Sequence, residues 1–324
     1  MKFGTVPVEK AKGTILGHSV QLGGRRLRKG AVLTGDNIEE LLKSGISEIT
    51  VATLDAGDMP ENEAASRLSA VLSFNAESLG ITVSDAFTGR ANISAASAGV
   101  VRIDADKVAA FNRVNPMITI ATVPDYHLAD AGNMLATIKI ISFAVPRADV
   151  AEATKLLTNA IHVHQPIVKT ATLIVTEIAG VKAEKGVDAI RDRLERWGVD
   201  LTDVTFVAHR VAEISECLMS YDGGLVLILT ASATSDIEDV APSAVVRAGG
   251  RIERFGLPVD PGNLLFLGYL NKTPVIGLPG CARSPALNGT DWVMARVICG
   301  VPIADRDMAA MGVGGLLKEI PTRP

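Results

Sequence analysis

The sequence predicts an α/β protein in two parts: an α+β N-terminal domain over residues 1–165, and a C-terminal three-layer α/β/α domain with a mostly parallel sheet over residues 166–324. Three observations lead there. The 324 residues exceed one ordinary core and suit two. The second half alternates uniformly apolar runs with amphipathic stretches, the grammar of a parallel sheet covered on both faces. Between the halves, HVHQP at His162–Pro166 interrupts the periodicity and reads as a linker.

In the first half, segments rich in Val, Ile and Thr predict strands at Thr14–Leu22, Glu48–Leu54, Ile81–Phe87, Gly99–Ile103, Met117–Val123 and Met134–Val145. Helical spacing marks Asn37–Lys43, Glu61–Ser73, Asp106–Arg113 and Ala148–Asn159. Asp36 and one of Asp104 or Asp106 serve as N-caps, and Pro60 suits a first turn. The irregular order of these elements gives a class, α+β, and no topology.

The second half is regular. TATLIVTEIAG (170–180) is a buried strand, and GVDAIRDRLERWG (186–198) an amphipathic helix closed by Gly198. A strand at Val204–His209, a helix at Val211–Met219 and the apolar strand GGLVLILT (223–230) follow. Then come the helix DVAPSAVVRAGG (239–250), the strand TPVIGLPG (273–280) and the helix GTDWVMARVICG (289–300). Beyond Gly300 the chain reads as a return strand or tail containing GVGG.

Composition narrows the function. A net charge of −4 offers no cationic field for a polyanion, and 8 Phe, 3 Tyr and 2 Trp offer few stacking platforms, so no nucleic-acid partner is expected. The longest uncharged stretches, Leu156–Val168 and Gly223–Ser235, fall short of the ~18–20 residues that span a bilayer, so no membrane is expected either. Cys217, Cys281 and Cys299 are widely spaced and form no CxxC pair. With no signal-peptide pattern in MKFGTVPVEKAKG, the expected location is cytoplasmic.

Parallel sheets bind ligands at the carboxyl ends of their strands, which singles out three loops: VTEIAG, LTASATSDIEDVAP and GLPGCARSP. In the second, Thr230, Ser232, Thr234, Ser235 and Asp236 lead into a helix, a set that suits either an anion or a helix cap. In the third, Arg283 offers a fork for an oxyanion or is a solvent-facing loop arginine. Cys281 is a soft ligand or reactive thiol, or a small residue in a bend.

These stretches carry a resemblance. LILTASATSDIEDVAPSAVVRAGG is similar to the apolar strand, T-G-G-[TS]-x-G-x-x-D loop and helix of the Mog and MoeA families of molybdenum-cofactor biosynthesis. FGLPVDPGNLLFLGYLNKTPVIGLPG resembles the MoeA run G-x-x-[MV]-x-P-G-x-P-x-x-x-G with its following GLPG. GLPGCARSPALNGTDWV, TGRANI and ATIKIISFAVP resemble the molybdopterin-binding part of bacterial proteins fused to a MobA-like nucleotidyltransferase. No L-A-G-G-x-S-x-R-M-G transferase loop occurs in the 324 residues.

The resemblance implies a molybdopterin-binding protein that presents molybdopterin or its nucleotide form for metal insertion or nucleotide attachment, with a separate molybdenum cofactor nucleotidyltransferase as partner. It implies a homodimer and sites built across domains and subunits. By the same comparison Thr230, Ser232, Thr234, Ser235, Asp236, Pro261, Gly262, Gly277, Leu278, Pro279, Gly280, Cys281, Arg283 and Ser284 hold the pterin and its phosphate. Asp239 and Glu177 are then the catalytic acids and the ligands of Mg²⁺, with molybdate as a further ligand. Glycine amides and metal-bound carboxylates suit so dense an anion.

The departures from the family pattern set the alternatives. Ala231 and Ser232 stand at the glycine pair, Thr234 at the later glycine, His209 and Arg210 where Mog-like proteins have an acid, and Asp260 in place of a lysine. Side chains at the glycine positions hold a phosphate away from the backbone. Adenylyl or molybdenum transfer therefore stands beside a non-catalytic carrier or sensor and a CinA-like nucleotide pyrophosphatase. Elsewhere, His162 and His164 would face one way on a strand, either as a metal pair or as linker polarity. Arg25, Arg26, Arg28 and Lys29 read as a solvated turn or a contact for an acidic group. Asp58, Glu61 and Glu63 read as first-turn acids or as members of a composite site.

Overall fold

The structure, a computed structural model, describes residues 1–178, 186–221 and 223–317. The chain divides into two compact units, Met1–Ser97 with Val101–Val163, and Ala98–Val100 with His164 onward.

In the first unit β1 (Lys2–Pro7), β2 (Ile15–Leu16) and β5 (Glu48–Thr53) form an antiparallel sheet ordered β1-β5-β2. Between them lie the hairpin of β3 (Val20–Leu22) and β4 (Arg25–Leu27), and helix α1 (Gly35–Lys43). The cap of α1 is Thr34, in a reciprocal box with Asn37, and Asp36 falls inside the first turn. The expected strand Thr14–Leu22 is interrupted, because Gly17 turns away under Phe3: a Cβ there would lie 2.8 Å from the Thr50 carbonyl.

β6 (Asp58–Pro60) enters α2 (Glu61–Phe74), whose Ala64, Ala65, Leu68 and Leu72 form one buried stripe. Next come α3 (Ala76–Leu79), β7 (Ile81–Val83), β8 (Arg90–Ala95), β9 (Gly99–Ile103) and α4 (Ala105–Val114), the last capped by Asp104. β10 (Ile118–Thr122), β11 (His127–Ala129), β12 (Met134–Ile140), β13 (Ala144–Pro146), α5 (Arg147–Leu156) and β14 (Ile161–His164) complete the series. The sheets run β10-β12-β8-β7, β11-β9-β14 and β13-β6. A core of Leu68, Leu72, Ile93, Phe111, Ile138 and Ile140 lies between them and α2, α4 and α5. The expected Met134–Val145 strand breaks into β12 and β13, and Ile81–Phe87 shortens to β7. His162 and His164 are in strand β14 rather than a linker, alternating with the buried Ile161 and Val163.

The second unit opens with β15 (Thr170–Glu177), α6 (Val187–Glu195), β16 (Asp200–Ala208), α7 (Val211–Ser220) and β17 (Leu225–Leu229). It continues through α8 (Val240–Arg247), β18 (Arg251–Phe255), β19 (Phe266–Leu270), β20 (Thr273–Leu278), α9 (Gly289–Ile298) and α10 (Asp305–Ala309). Its six-stranded sheet has the order β16-β15-β17-β20-β19-β18. The first four are parallel; β19 and β18 run antiparallel beyond them. Residues of period two divide the faces. Ile174, Val226, Ile228 and Val275 pack on Ile214 and Leu218 of α7 and on Ala241, Ala244 and Val245 of α8. Leu173, Val175, Leu225, Leu227 and Ile276 are fully buried on the opposite face, the side of α6 and α9. The three-layer α/β/α class holds.

β18 and β19 are strands that the periodicity did not mark. RIERF and FLGYL carry charges and a glycine, and the hairpin from β19 to β20 turns on Asn271 at φ 54°, a two-residue signal of the kind that asparagine supplies. Among the described residues no helix is long and apolar enough to cross a membrane.

Candidate functional site

The chain leaves β15 to build β16 on one side, then crosses by α7 to place β17 on the other, so the strand order reverses between β15 and β17. A crevice opens at the carboxyl ends of strands at such a point. Thr176 stands there, near the end of β15 and fully buried. Its Oγ1 accepts from the N–H of Ala231, 2.8 Å away in the loop after β17. The same oxygen is 2.9 Å from Nδ1 of His209, just past β16. A hydroxyl oxygen can accept from Ala231 and still either donate to Nδ1 or accept from it, so the imidazole tautomer sets the direction of this second bond. His209 N donates to the Glu177 carbonyl at 2.9 Å, holding the two strand ends together.

The fourth strand joins through Arg283. Past β20, Pro279 is buried and Gly280–Arg283 make a 3₁₀ turn. Arg283 Nη2 donates to the Thr230 carbonyl at 2.8 Å, and burial lowers the proton affinity of the guanidinium. Gly186 makes room for it: at φ +106°, a Cβ there would lie 2.7 Å from Arg283 Cγ. Four parallel strand ends thus meet through Thr176, His209, Ala231, Thr230 and Arg283.

The loop from Thr230 to Asp239 is built as a cap. Thr230 Oγ1 donates to the Ser232 carbonyl at 2.6 Å. Asp239 is the N-cap of α8, with Oδ1 accepting from Val240 N at 2.7 Å and Oδ2 from Ser235 N at 2.9 Å. Asp236 Oδ1 accepts from Glu238 N at 2.8 Å. Thr234 is buried, whereas Ser232, Ser235 and Asp236 are exposed.

Arg193 on α6 anchors the other loop from beneath. Its side chain donates to the carbonyls of Ala282 at 3.0 Å, Ser284 at 2.6 Å and Ala286 at 3.0 Å, and to Asp291 Oδ1 at 2.9 Å. Ser284 is exposed, and Gly280 has open space where a side chain would be. Burial pushes the Cys281 thiol above its ordinary pKa; Arg193 opposes this and Asp260 and Asp291 add to it. The thiol therefore stays protonated at neutral pH.

Other residues named from the sequence have packing reasons. Gly277 lies inside β20, opposite Phe266, and a Cβ there would be 1.9 Å from Phe266 Cε1. Leu278 is the buried end of that strand. Gly262, at φ +132°, would meet Gly289 N at 2.4 Å, and the Pro261 carbonyl accepts from Gly289 N at 2.9 Å. These two residues seat the start of α9. Glu177 is exposed at the end of β15, and Ala179 and Gly180 of the first loop lie outside the described residues, as does the tail from residue 318.

Among the described residues no group of three or more His, Cys, Asp or Glu side chains is placed to hold a metal. With both Asp239 oxygens engaged by backbone N–H groups, Asp239 and Glu177 do not by themselves fit a resident Mg²⁺, which demands near-octahedral oxygen ligation. His162 and His164 likewise belong to no such group.

Sequence reasoning did not single out Thr176 or Arg193. A threonine closing an apolar strand and an arginine on the apolar side of GVDAIRDRLERWG were the available signals, and both residue types are common at such places.

Residues 5–53, the stretch holding most of β1 and all of β5, match a family described as a domain of unknown function (DUF8806). No curated protein matches the chain. Among solved structures it is similar to the molybdopterin biosynthesis MoeA protein from Pyrococcus horikosii, with 11% identity and a TM-score of 0.31, over 94% of this chain and 76% of that one. It is also similar to a molybdenum cofactor biosynthesis protein from Pyrococcus furiosus, with 10% identity and a TM-score of 0.26, over 95% of this chain and 65% of that one.

Proposed function

We propose that the second unit binds molybdopterin or its nucleotide form at the carboxyl edge of its sheet and presents it for metal insertion or nucleotide attachment, late in molybdenum-cofactor assembly. The observation that carries this reading is the convergence, at the reversal of strand order, of the two loops whose sequences resemble the Mog and MoeA motifs, tied by the Arg283 to Thr230 hydrogen bond. Arg283, the His209 imidazole and the exposed hydroxyls of Ser232 and Ser235 are suited to a phosphate and to the polar edges of a pterin. A separate nucleotidyltransferase would receive the ligand.

Within this reading a carrier is favoured over a transferase by one feature: both oxygens of Asp239 serve the cap of α8. Any Mg²⁺ would then arrive with the phosphate of the ligand. The test is titration of the purified chain with molybdopterin, followed by pterin fluorescence. Saturable binding is expected, weakened in Arg283→Ala and in Asp239→Asn, with no AMP released in the presence of Mg²⁺. Unchanged affinity in both variants would sink the site. Turnover of ADP-ribose that Asp239→Ala abolishes would replace the reading with a pyrophosphatase.

A further inference from the structure

The first unit carries an open pocket of about 890 Å³ whose lining includes Phe3, Lys29, Glu61, Thr88, Lys139 and Phe143. That volume falls within the roughly 300–1,000 Å³ of small-molecule sites. Part of the wall is aromatic: the Phe3 and Phe143 rings lie 20° from parallel with centroids 6.4 Å apart. Lys29 Nζ sits 5.4 Å from the Phe143 centroid, a cation over a ring face. Met117 and Ile141, 40% and 58% exposed, extend the apolar surface.

The polar part is built on a strained turn. Thr88 has φ 47°, a left-handed conformation that is strained for a β-branched residue, and its carbonyl accepts from Lys139 Nζ. Gly89 follows, its N–H donating to Asn62 Oδ1 at 2.7 Å. A Cβ on Gly89 would lie 2.9 Å from Glu61 Oε2 and 2.9 Å from the Ile140 carbonyl, so only glycine lets the Glu61 carboxylate rest against this turn.

Glu61 and Asp58 both line the cavity and differ in one respect. Asp58 is already satisfied, 2.6 Å from the Met1 ammonium and accepting from Asp55 N at 2.7 Å, and these contacts hold its pKa below the ordinary value. The Glu61 carboxylate accepts no hydrogen bond from any described residue. Burial raises its pKa, and the charges of Lys139 and Lys29 oppose the rise without either lysine closing onto it as an ion pair. A half-buried acceptor of this kind is costly unless a donor meets it.

We propose that this cavity binds a planar heterocycle bearing a phosphate. The ring lies against Phe3 and Phe143, its N–H donors meet the Glu61 carboxylate, and the phosphate lies between the Lys29 and Lys139 ammonium groups. The two cations outnumber the one unpaired acid, which selects an anion, and a phosphate has oxygens enough for both lysines.

Calorimetric titration of the full chain with GMP, AMP, guanosine and inorganic phosphate tests this. At least one nucleotide is expected to saturate a single site and to bind more tightly than guanosine or phosphate. Lys29→Ala changes an exposed residue and should weaken the nucleotide about fivefold while leaving guanosine unaltered. Glu61→Ala should weaken nucleotide and nucleoside alike, by about tenfold. No saturable heat with either nucleotide up to about 1 mM, a mere 4 kcal/mol of affinity, would overturn the proposal. So would equal affinity in both variants, or phosphate binding as tightly as the nucleotides. None of the loop residues proposed to hold molybdopterin lines this cavity, so failure here leaves that reading standing.

Discussion

Arg283 and Thr230 are 53 residues apart in sequence, and Nη2 of the first donates to the carbonyl of the second at 2.8 Å. The bond fixes the loop after β17 to the loop after β20, so neither can shift without the other. Arg283→Ala should therefore cost ligand affinity more than stability: about tenfold in molybdopterin binding, against about 1 kcal/mol in urea unfolding. Arg283→Lys keeps the charge without the planar fork and should recover only part of the affinity. A large stability loss with unaltered binding would make the arginine purely structural.

Gly186 is where that arginine finds its room. Gly186→Ala places a Cβ 2.7 Å from Arg283 Cγ at a φ of +106°. Backbone strain and collision together should destabilise by about 2 kcal/mol, read from the shift of the urea midpoint. The double variant with Arg283→Ala relieves the collision but not the strain, so it should regain part of the loss; strict additivity would contradict the proposed packing.

Arg193 is a buried cation whose hydrogen bonds are directed at a loop. Replacing it with leucine leaves Asp291 and the carbonyls of Ala282, Ser284 and Ala286 without their donor. The expected cost is about 3–5 kcal/mol, measurable by denaturant unfolding, with proteolytic nicking appearing near residues 282–286. A loss below about 1 kcal/mol would mean that water replaces the guanidinium.

Gly277 and Phe266 form a size-complementary pair across β19 and β20. Gly277→Ala brings a Cβ to 1.9 Å from the ring and should destabilise by about 2–3 kcal/mol. Adding Phe266→Leu should return part of that, whereas Phe266→Leu alone is destabilising. If Gly277→Ala abolished pterin binding in a fully stable protein, Gly277 would belong to the ligand site instead.

Burial pushes the Cys299 thiol up to about 11 from an ordinary value of 9.0. The folded state therefore holds this proton more tightly than the unfolded chain. Its contribution to stability is complete below pH 9.0 and is lost as the pH climbs from there through about 11. Urea midpoints measured from pH 8 to 11 should fall across that window in the native protein and less steeply in Cys299→Ala. In native buffer near pH 8 the thiol should resist alkylation and become reactive on unfolding.

The second unit was the more legible half. LIVT, LVLIL and PVIGL are apolar without alternation because both faces are covered, and their spacing by amphipathic helices leaves little choice but a parallel core. The first unit was read less well. Its short strands are interrupted at Gly17 and Ser142, β1 is almost wholly exposed, and β8, although RANISA alternates polar with apolar residues, has only one large apolar side chain, Ile93, to mark it. The hydroxyl-rich loop before Asp239 could be read as an anion site or as a cap, since both need the same residue types. In the fold Asp239 is a cap, with each oxygen on a backbone N–H.

By itself the sequence determined the α/β class, the alternation that builds the second sheet, and the loops that end its strands, since these depend on local propensity and on periodicity along the chain. Tertiary structure alone decided that Thr176, His209, Ala231 and Arg283 come together, that Gly277 serves Phe266 and Gly186 serves Arg283, and that Glu61 lies unpaired in a cavity. Such relationships join residues tens of positions apart, and they exist only once strand order and packing have set the distances. Spacing along the chain cannot encode them, because hydrogen bonds and close contacts act over a few ångströms of space and not over sequence.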